Sequence, residues 1–186
     1  MTAFDYVIIG NSAAGIGCAE TLRELTDSTI AIISYEKYPI YSRALIPHYL
    51  DGKIGFDKLY YRPLDFYDKL NIEPILGKKA VKVDFKDKEV VLDSGERISY
   101  NKLLIATGGK SFIPPMEELG RQRNVFTFVK LDDALAIKER LEIGVEKVVV
   151  LGGGIIGLKI AEILSKRTKV ALITPASRVL VRAVDK

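Results

Sequence analysis

Residues 151–164 read LGGGIIGLKIAEIL, preceded by the apolar run EKVVV and followed, after a short polar stretch, by KVALIT. Glycine directly after a strand permits a tight turn, close approach of backbone to a pyrophosphate and close packing of helix on strand. Gly152, Gly154 and Gly157 meet the G-x-G-x-x-G spacing in full, with Ile155 and Ile156 between the last two glycines. The helix that follows would offer its first N–H groups to phosphates. Residues 9–21, IGNSAAGIGCAET, place the same pattern about 142 positions earlier. There Gly10 and Gly15 hold the outer positions, Ser12 takes the middle one, and Ala13 and Ala14 fill the two variable places. A serine side chain can turn aside or bond a phosphate oxygen, although backbone approach is less free than at glycine. FDYVIIG before this turn and STIAIIS after its helix, read as Ala13 to about Thr26, complete a strand, helix and strand. Such a unit crosses over right-handed and makes its strands parallel. One glycine turn is weak support for a nucleotide site; two in this context predict two.

Between the repeats the texture changes twice. Residues 35–70 carry many tyrosines, prolines at 39, 47 and 63, and short amphipathic pieces such as FDKLYYRPLDFYDKL, the pattern of an excursion with short helices. From about 72 to 99 the chain alternates in strand fashion, with FKDKE and DSGER as turns, which predicts an antiparallel meander inserted between parallel strands. NKLLIATGG reads as a further buried strand, and NVFTFVKLDDALAIKERL as a strand followed by an amphipathic helix.

Composition narrows the classes. The chain has 186 residues, 48% hydrophobic and 28% charged, within the range of globular α/β proteins. Its apolar runs are shorter than the roughly 18 residues of a membrane span. The N-terminus enters a strand within a few residues, leaving no room for a leader, so a cytoplasmic protein is expected. The single cysteine, Cys18, forms no internal disulfide, zinc site of several cysteines or redox pair, so no metal is expected and redox chemistry needs a bound cofactor. The net charge of +4 is spread among acids without runs or aromatic interleaving, which gives no nucleic-acid signature.

An acid that holds an adenosine ribose is expected about 20 positions past the glycine turn. Glu36, 21 positions past Gly15, is that candidate; a solvated surface glutamate is its plainer reading. After VALIT stand Thr174, Pro175, Ala176, Ser177 and Arg178, with no acid, which leaves NADP open beside NAD.

Two dinucleotide turns, a meander after the first and LLIATGGKSFIPP between them together resemble the FAD-dependent pyridine nucleotide oxidoreductases, over essentially the whole chain. The fold implied is α/β: a Rossmann-like FAD/NAD(P)-binding fold with an inserted antiparallel meander, then the start of a second Rossmann-like unit. The expected division is an FAD-binding part over 1–110 and an incomplete NAD(P)-binding part over 111–186. By this resemblance the first turn holds FAD and the second NAD(P)H, Ala106, Thr107 and Gly108 lie near the flavin nucleotide, and the Val81 backbone meets its adenine. The stretch EKYPIYSRALIPHYLDGK lacks the flavin-side cysteine of disulfide reductases and is similar to the YSRPLLxxYL version of rubredoxin reductases, ferredoxin reductases and nitrite reductase flavin parts, with Ala44 in place of the proline. Arg43 is then expected near the FAD phosphates, and Lys53 and His48 are weak candidates for a flavin-edge charge and a proton relay. A packed or exposed histidine is the plainer reading of His48. Cys18 is expected in the core. By the same resemblance, Lys159 stands where family members often carry glutamate and where the nitrite-reductase-like branch often carries lysine instead.

The activity implied is hydride transfer from NAD(P)H to FAD, with electrons passed on to a small carrier such as rubredoxin or ferredoxin. The family's remaining segments lie beyond these residues. The chain is therefore expected to be a fragment, or to be completed by another chain or by homo-oligomer contacts. The alternative is a dinucleotide-binding module or flavoprotein subunit without activity alone.

Overall fold

A computed structural model describes residues 2–115, 124–181, 183 and 184. The order of elements is β1 (Thr2–Ile9), α1 (Ala13–Leu25), β2 (Ile30–Ser34), the short helices α2 (Ile46–Leu50) and α3 (Phe66–Lys69), β3 (Ile72–Leu76), β4 (Ala80–Asp84), β5 (Glu89–Leu92), β6 (Arg97–Ile105), α4 (Leu131–Glu142), β7 (Lys147–Leu151), α5 (Ile155–Ser165) and β8 (Lys169–Ile173). The chain divides into two compact units, one of residues 1–42 and 60–109, the other of residues 43–59 and 110–186. This division is discontinuous, where a single boundary near residue 110 was expected.

The first unit is a six-stranded sheet in the order β3-β2-β1-β6-β5-β4. Its apolar strands obey the two-residue period. Ile8, Ile30 and Ile32 face a core made with Ile16 and Ala19 of α1 and with Ile40, Phe66, Tyr67 and Ile72. Val7, Ile9, Ala31 and Ile33 face the other way, onto Val90, Leu92, Ile98 and Tyr100. Each of the larger of these side chains, the isoleucines, valines, leucine and phenylalanine, contributes about 1.5–3 kcal/mol when removed from water. The antiparallel strands thus cover the face that a second helical layer would otherwise cover.

Three strand expectations change. Ile72–Leu76 pairs in parallel with β2, so the meander starts at Ala80. β3 carries Pro74 and lies at the sheet edge, where a missing N–H is tolerated. The third meander run and the LLIATGG run are one strand, β6, antiparallel to β5 at its start and parallel to β1 from Ile98 to Ile105. It is less buried than a central strand should be: Ile105 is 54% exposed. Residues 124–130 form no strand. The Asp133 carboxylate accepts from Thr127 Oγ1 and from the Val129 and Lys130 N–H groups, serving donors that a strand partner would have taken.

In the second unit β7 and β8 pair in parallel and α5 packs on them. Leu50 of α2 is buried with Ile137, Val150, Ile160, Ile163 and Leu164, which explains why residues 43–59 group here. Asp51, at the end of α2, accepts from Lys166 at 2.7 Å and pairs with Lys53 at 3.0 Å. On the sheet face away from α5, Val149, Leu151 and Ile173 are about half exposed. Among the described residues no helix is long and apolar enough to cross a membrane.

Candidate dinucleotide sites

The two glycine turns share one backbone construction. Gly10 N–H donates to the Ile33 carbonyl at 2.9 Å, and Gly152 N–H to the Ile173 carbonyl at 2.8 Å. Both glycines have positive φ, +131° and +118°. A Cβ on Gly15 would lie 1.9 Å from the Gly10 carbonyl oxygen, and one on Gly157 1.9 Å from that of Gly152. The outer glycines are thus required by the fold itself. The middle position differs: a Cβ on Gly154 would meet nothing within 4 Å. Among the described residues nothing objects to a side chain there, which is the fit expected of a cradle for a pyrophosphate.

Both middle residues, Ser12 and Gly154, are helix N-caps in extended backbone. Ser12 makes no side-chain cap bond. The first helical bonds run from Ile16 N–H to Ser12 O and from Leu158 N–H to Gly154 O, so the preceding N–H groups have no partner within the helix. Those groups belong to Ala13, Ala14 and Gly15 in one turn, and to Ile155, Ile156 and Gly157 in the other.

Around the first turn the structure gathers most of the expected residues. Glu36 lies two positions past β2 and is only 5% exposed, which rules out the solvated reading. Its Oε2 accepts the Tyr41 hydroxyl, and its N–H donates to Ser34 Oγ. Ala106 N–H donates to the Ile9 carbonyl, and a Cβ on Gly10 would fall 2.1 Å from the Ala106 carbonyl oxygen, so Ala106 is pressed against the turn. Thr107 and Gly108 follow it, both exposed. The ladder between β4 and β5 shifts register between Ala80 and Lys82, which leaves Val81 at the irregularity and 54% exposed. Residues 77 and 78 donate to the carbonyls of Glu36 and Ser34, so the chain leading to Val81 crosses the end of β2.

Sequence reasoning missed a clamp on this turn. Tyr67 OH donates to Asn11 Oδ1 at 2.8 Å and accepts the Ile40 N–H, while Asn11 Nδ2 donates to the Tyr38 carbonyl. Asn11 sits at a variable motif position, and nothing in the spacing singles it out. Cys18 is half-buried beside the first core, as expected, and burial pushes its thiol up from the ordinary range.

Arg43, His48 and Lys53 belong to the second unit. The Arg43 guanidinium donates to the Val129 carbonyl at 3.1 Å. With Lys159 it borders a hollow of about 350 Å³ whose apolar walls include Ile46, Pro47, Phe128, Ile155 and Ile156. The hollow opens beside the second glycine turn. His48 lies on α2, and Lys53 is engaged by Asp51; neither lines the hollow. Lys159 also pairs with Glu162 at 2.9 Å. Among the described residues no group of three or more His, Cys, Asp and Glu gathers as metal ligands.

A mixed Rossmann-like sheet with an antiparallel excursion, followed by a second strand-turn-helix-strand unit, defines the FAD/NAD(P)-binding class of oxidoreductase folds. Residues 4–186 match the family described as pyridine nucleotide-disulphide oxidoreductase, and the chain belongs to it. It is 35% identical over 189 residues to an NADH oxidase of Methanocaldococcus jannaschii, covering 96% of this chain and 42% of that protein. It is 32% identical over 165 residues to the NADH-rubredoxin oxidoreductase of Clostridium acetobutylicum, covering 87% of this chain and 41% of the relative. The solved structure of an NAD-dependent persulfide reductase from A. fulgidus superposes with a TM-score of 0.90 at 30% identity, over 97% of this chain and 35% of that one. The chain thus spans between 20% and 42% of the length of the first curated relatives it matches.

Proposed function

We propose that the chain forms the FAD-binding and part of the NAD(P)H-binding region of a cytoplasmic FAD-dependent NAD(P)H oxidoreductase, in which electrons leave for a small carrier such as rubredoxin or ferredoxin. The observation that carries this reading is the pair of glycine turns whose outer glycines the fold demands, with the middle position open at Gly154. FAD, when bound, supplies acceptance of a hydride and release of electrons singly. The residues of the chain supply binding and orientation.

At the first turn, the N–H groups of Ala13, Ala14 and Gly15 would face the pyrophosphate, joined by the Ser12 hydroxyl. Glu36, held by Tyr41, would accept from the adenosine ribose, which explains a carboxylate buried at a strand end. Val81, at a ladder irregularity, has backbone available to an adenine edge. Ala106, Thr107 and Gly108 close the cradle; Arg43, a residue of the other unit with a planar fork of donors, is kept as a phosphate candidate on the family resemblance alone. At the second turn, Gly152, Gly154 and Gly157 with Ile155 and Ile156 would hold NAD(P)H, and the apolar hollow beside them suits a flat nicotinamide ring. Lys53 and His48, also of the other unit, are kept on the same resemblance alone, as candidates for a flavin-edge charge and a proton relay. Burial pushes the Cys18 thiol up and so disfavours its thiolate.

The half-exposed face of β7 and β8 favours a second reading, a module that needs further chain or a second copy to cover it and to act. Titrating the purified chain with FAD, then adding NADH or NADPH anaerobically, separates the two. Flavin uptake with bleaching supports the enzyme, and uptake without bleaching supports the module. A chain that takes up no FAD sinks both forms of the flavoprotein reading.

A further inference from the structure

We propose, resting on the reading of the second turn as a pyridine nucleotide site, that this turn takes NADPH in preference to NADH. Superimposing the two turns by their hydrogen bonds decides the correspondence. The Gly10–Ile33 and Gly152–Ile173 bonds make Ile33 and Ile173 equivalent, and therefore Ser34 and Thr174. The next contact repeats as well: Ser34 Oγ accepts the Glu36 N–H at 3.2 Å, and Thr174 Oγ1 accepts the Ala176 N–H at 3.3 Å. Ala176 therefore stands where the first turn keeps its buried carboxylate.

No aspartate or glutamate occurs anywhere from Lys169 to Val184. An acid at this place selects the 2′-hydroxyl of NADH and repels a 2′-phosphate; its absence removes both effects. What the loop offers instead is donors. Thr174 packs against the turn, its side chain 3.1–3.3 Å from where a Cβ on Gly153 would sit, and Leu180 N–H donates to the Gly153 carbonyl at 2.8 Å. The segment 174–180 thus wraps Gly153 from both of its ends, with Ser177 and Arg178 within it. One Arg178 nitrogen, Nη2, donates to the Val184 carbonyl at 2.8 Å, an exposed bond that ties the side chain to this loop. The guanidinium carries five N–H donors, so this bond leaves others for a phosphate. Arg178 is assigned as the residue that receives the 2′-phosphate, and Ala176 as the position that permits it.

The test is binding of 2′,5′-ADP against 5′-ADP to the full chain by calorimetry, with flavin bleaching by NADPH and NADH as a second readout. The 2′-phosphate should tighten binding by about tenfold, which is 1.4 kcal/mol. Ala176→Glu should abolish that advantage while 5′-ADP binding persists, and Arg178→Gln should reduce it; circular dichroism and melting curves establish that both variants fold. Equal or tighter binding of 5′-ADP by the unaltered chain, with NADH the better reductant, overturns the inference and leaves the oxidoreductase reading standing. Binding of neither fragment overturns both.

Discussion

The two glycine turns solve one backbone problem in different surroundings. In the first, Gly10 is wedged against Ala106, Glu36 lies buried two positions past β2, and Asn11 is clamped by Tyr67. In the second, no atom of the described residues lies within 4 Å of a would-be Cβ on Gly152, and alanine replaces the acid. The turn with the full glycine motif is thus the less enclosed of the two. What the motif encodes at its outer positions is helix-on-strand packing; enclosure and charge come from residues far away in sequence.

Breaking the shared part should cost most. Gly15→Ala and Gly157→Ala each drive a methyl into a backbone carbonyl, and each should destabilise its own unit by roughly 3 kcal/mol. Gly10→Ala and Gly152→Ala should then separate the turns. Both incur the strain of positive φ, about 1–3 kcal/mol, but only the first also collides with Ala106. Urea unfolding followed by hydrogen exchange in each unit measures all four. Equal costs at positions 10 and 152 would show that Ala106 yields freely and that the wedge is unimportant.

Leu50→Ala asks which unit owns the excursion. Its side chain is almost fully buried among α4, α5 and β7 residues, so truncation should cost about 3 kcal/mol. Amides of α4, α5 and β7 should lose protection from exchange while those of β1 and β2 keep theirs. A uniform loss across both units would contradict the assignment of residues 43–59.

These differences also mark how far the sequence could be read. The strands flanking each turn were legible because their apolar runs and glycines state a single local geometry. The direction of β3 was not, since an alternating strand looks alike whether its neighbour is parallel or antiparallel. β6 read as two strands because Asn101 and Lys102 interrupt the apolar pattern. In the structure Asn101 donates to Asp5 across the β1–β6 ladder, and the Lys102 ammonium lies 5.6 Å from the Tyr6 ring. Glu36 was found by spacing, but its burial depends on Tyr41 and its neighbours. The attachment of residues 43–59 rests on Leu50 and Asp51, tertiary contacts that no local pattern announces.

The middle positions should affect stability little and binding more. Gly154→Ser meets open space and puts a good N-cap residue at a helix start, so stability should hold or rise by a few tenths of a kcal/mol. Nucleotide affinity at that turn should fall, as the hydroxymethyl group occupies the approach. Ser12→Gly should leave stability close to unchanged and alter FAD affinity. A marked loss of stability in Gly154→Ser would mean that the fold, and not a ligand, demands that glycine.

The smallest effect concerns an ionic tie in the second unit. Bonds from Lys166 and Lys53 hold the Asp51 carboxyl down at about 2, below its ordinary 3.8. A carboxyl depressed in the folded state binds its proton more readily when unfolded, so its contribution is complete above the ordinary value. That contribution disappears as the pH falls from about 4 through about 2. Asp51→Asn should therefore lower the melting temperature by a constant amount between pH 5 and 8, and the gap should close as the pH falls below 4. Lys166→Met should give the same pH profile, because it removes the partner responsible for the largest part of the shift. A gap that persists unchanged at pH 3 would mean that Asp51 acts through its shape and neutral hydrogen bonds and not through its charge.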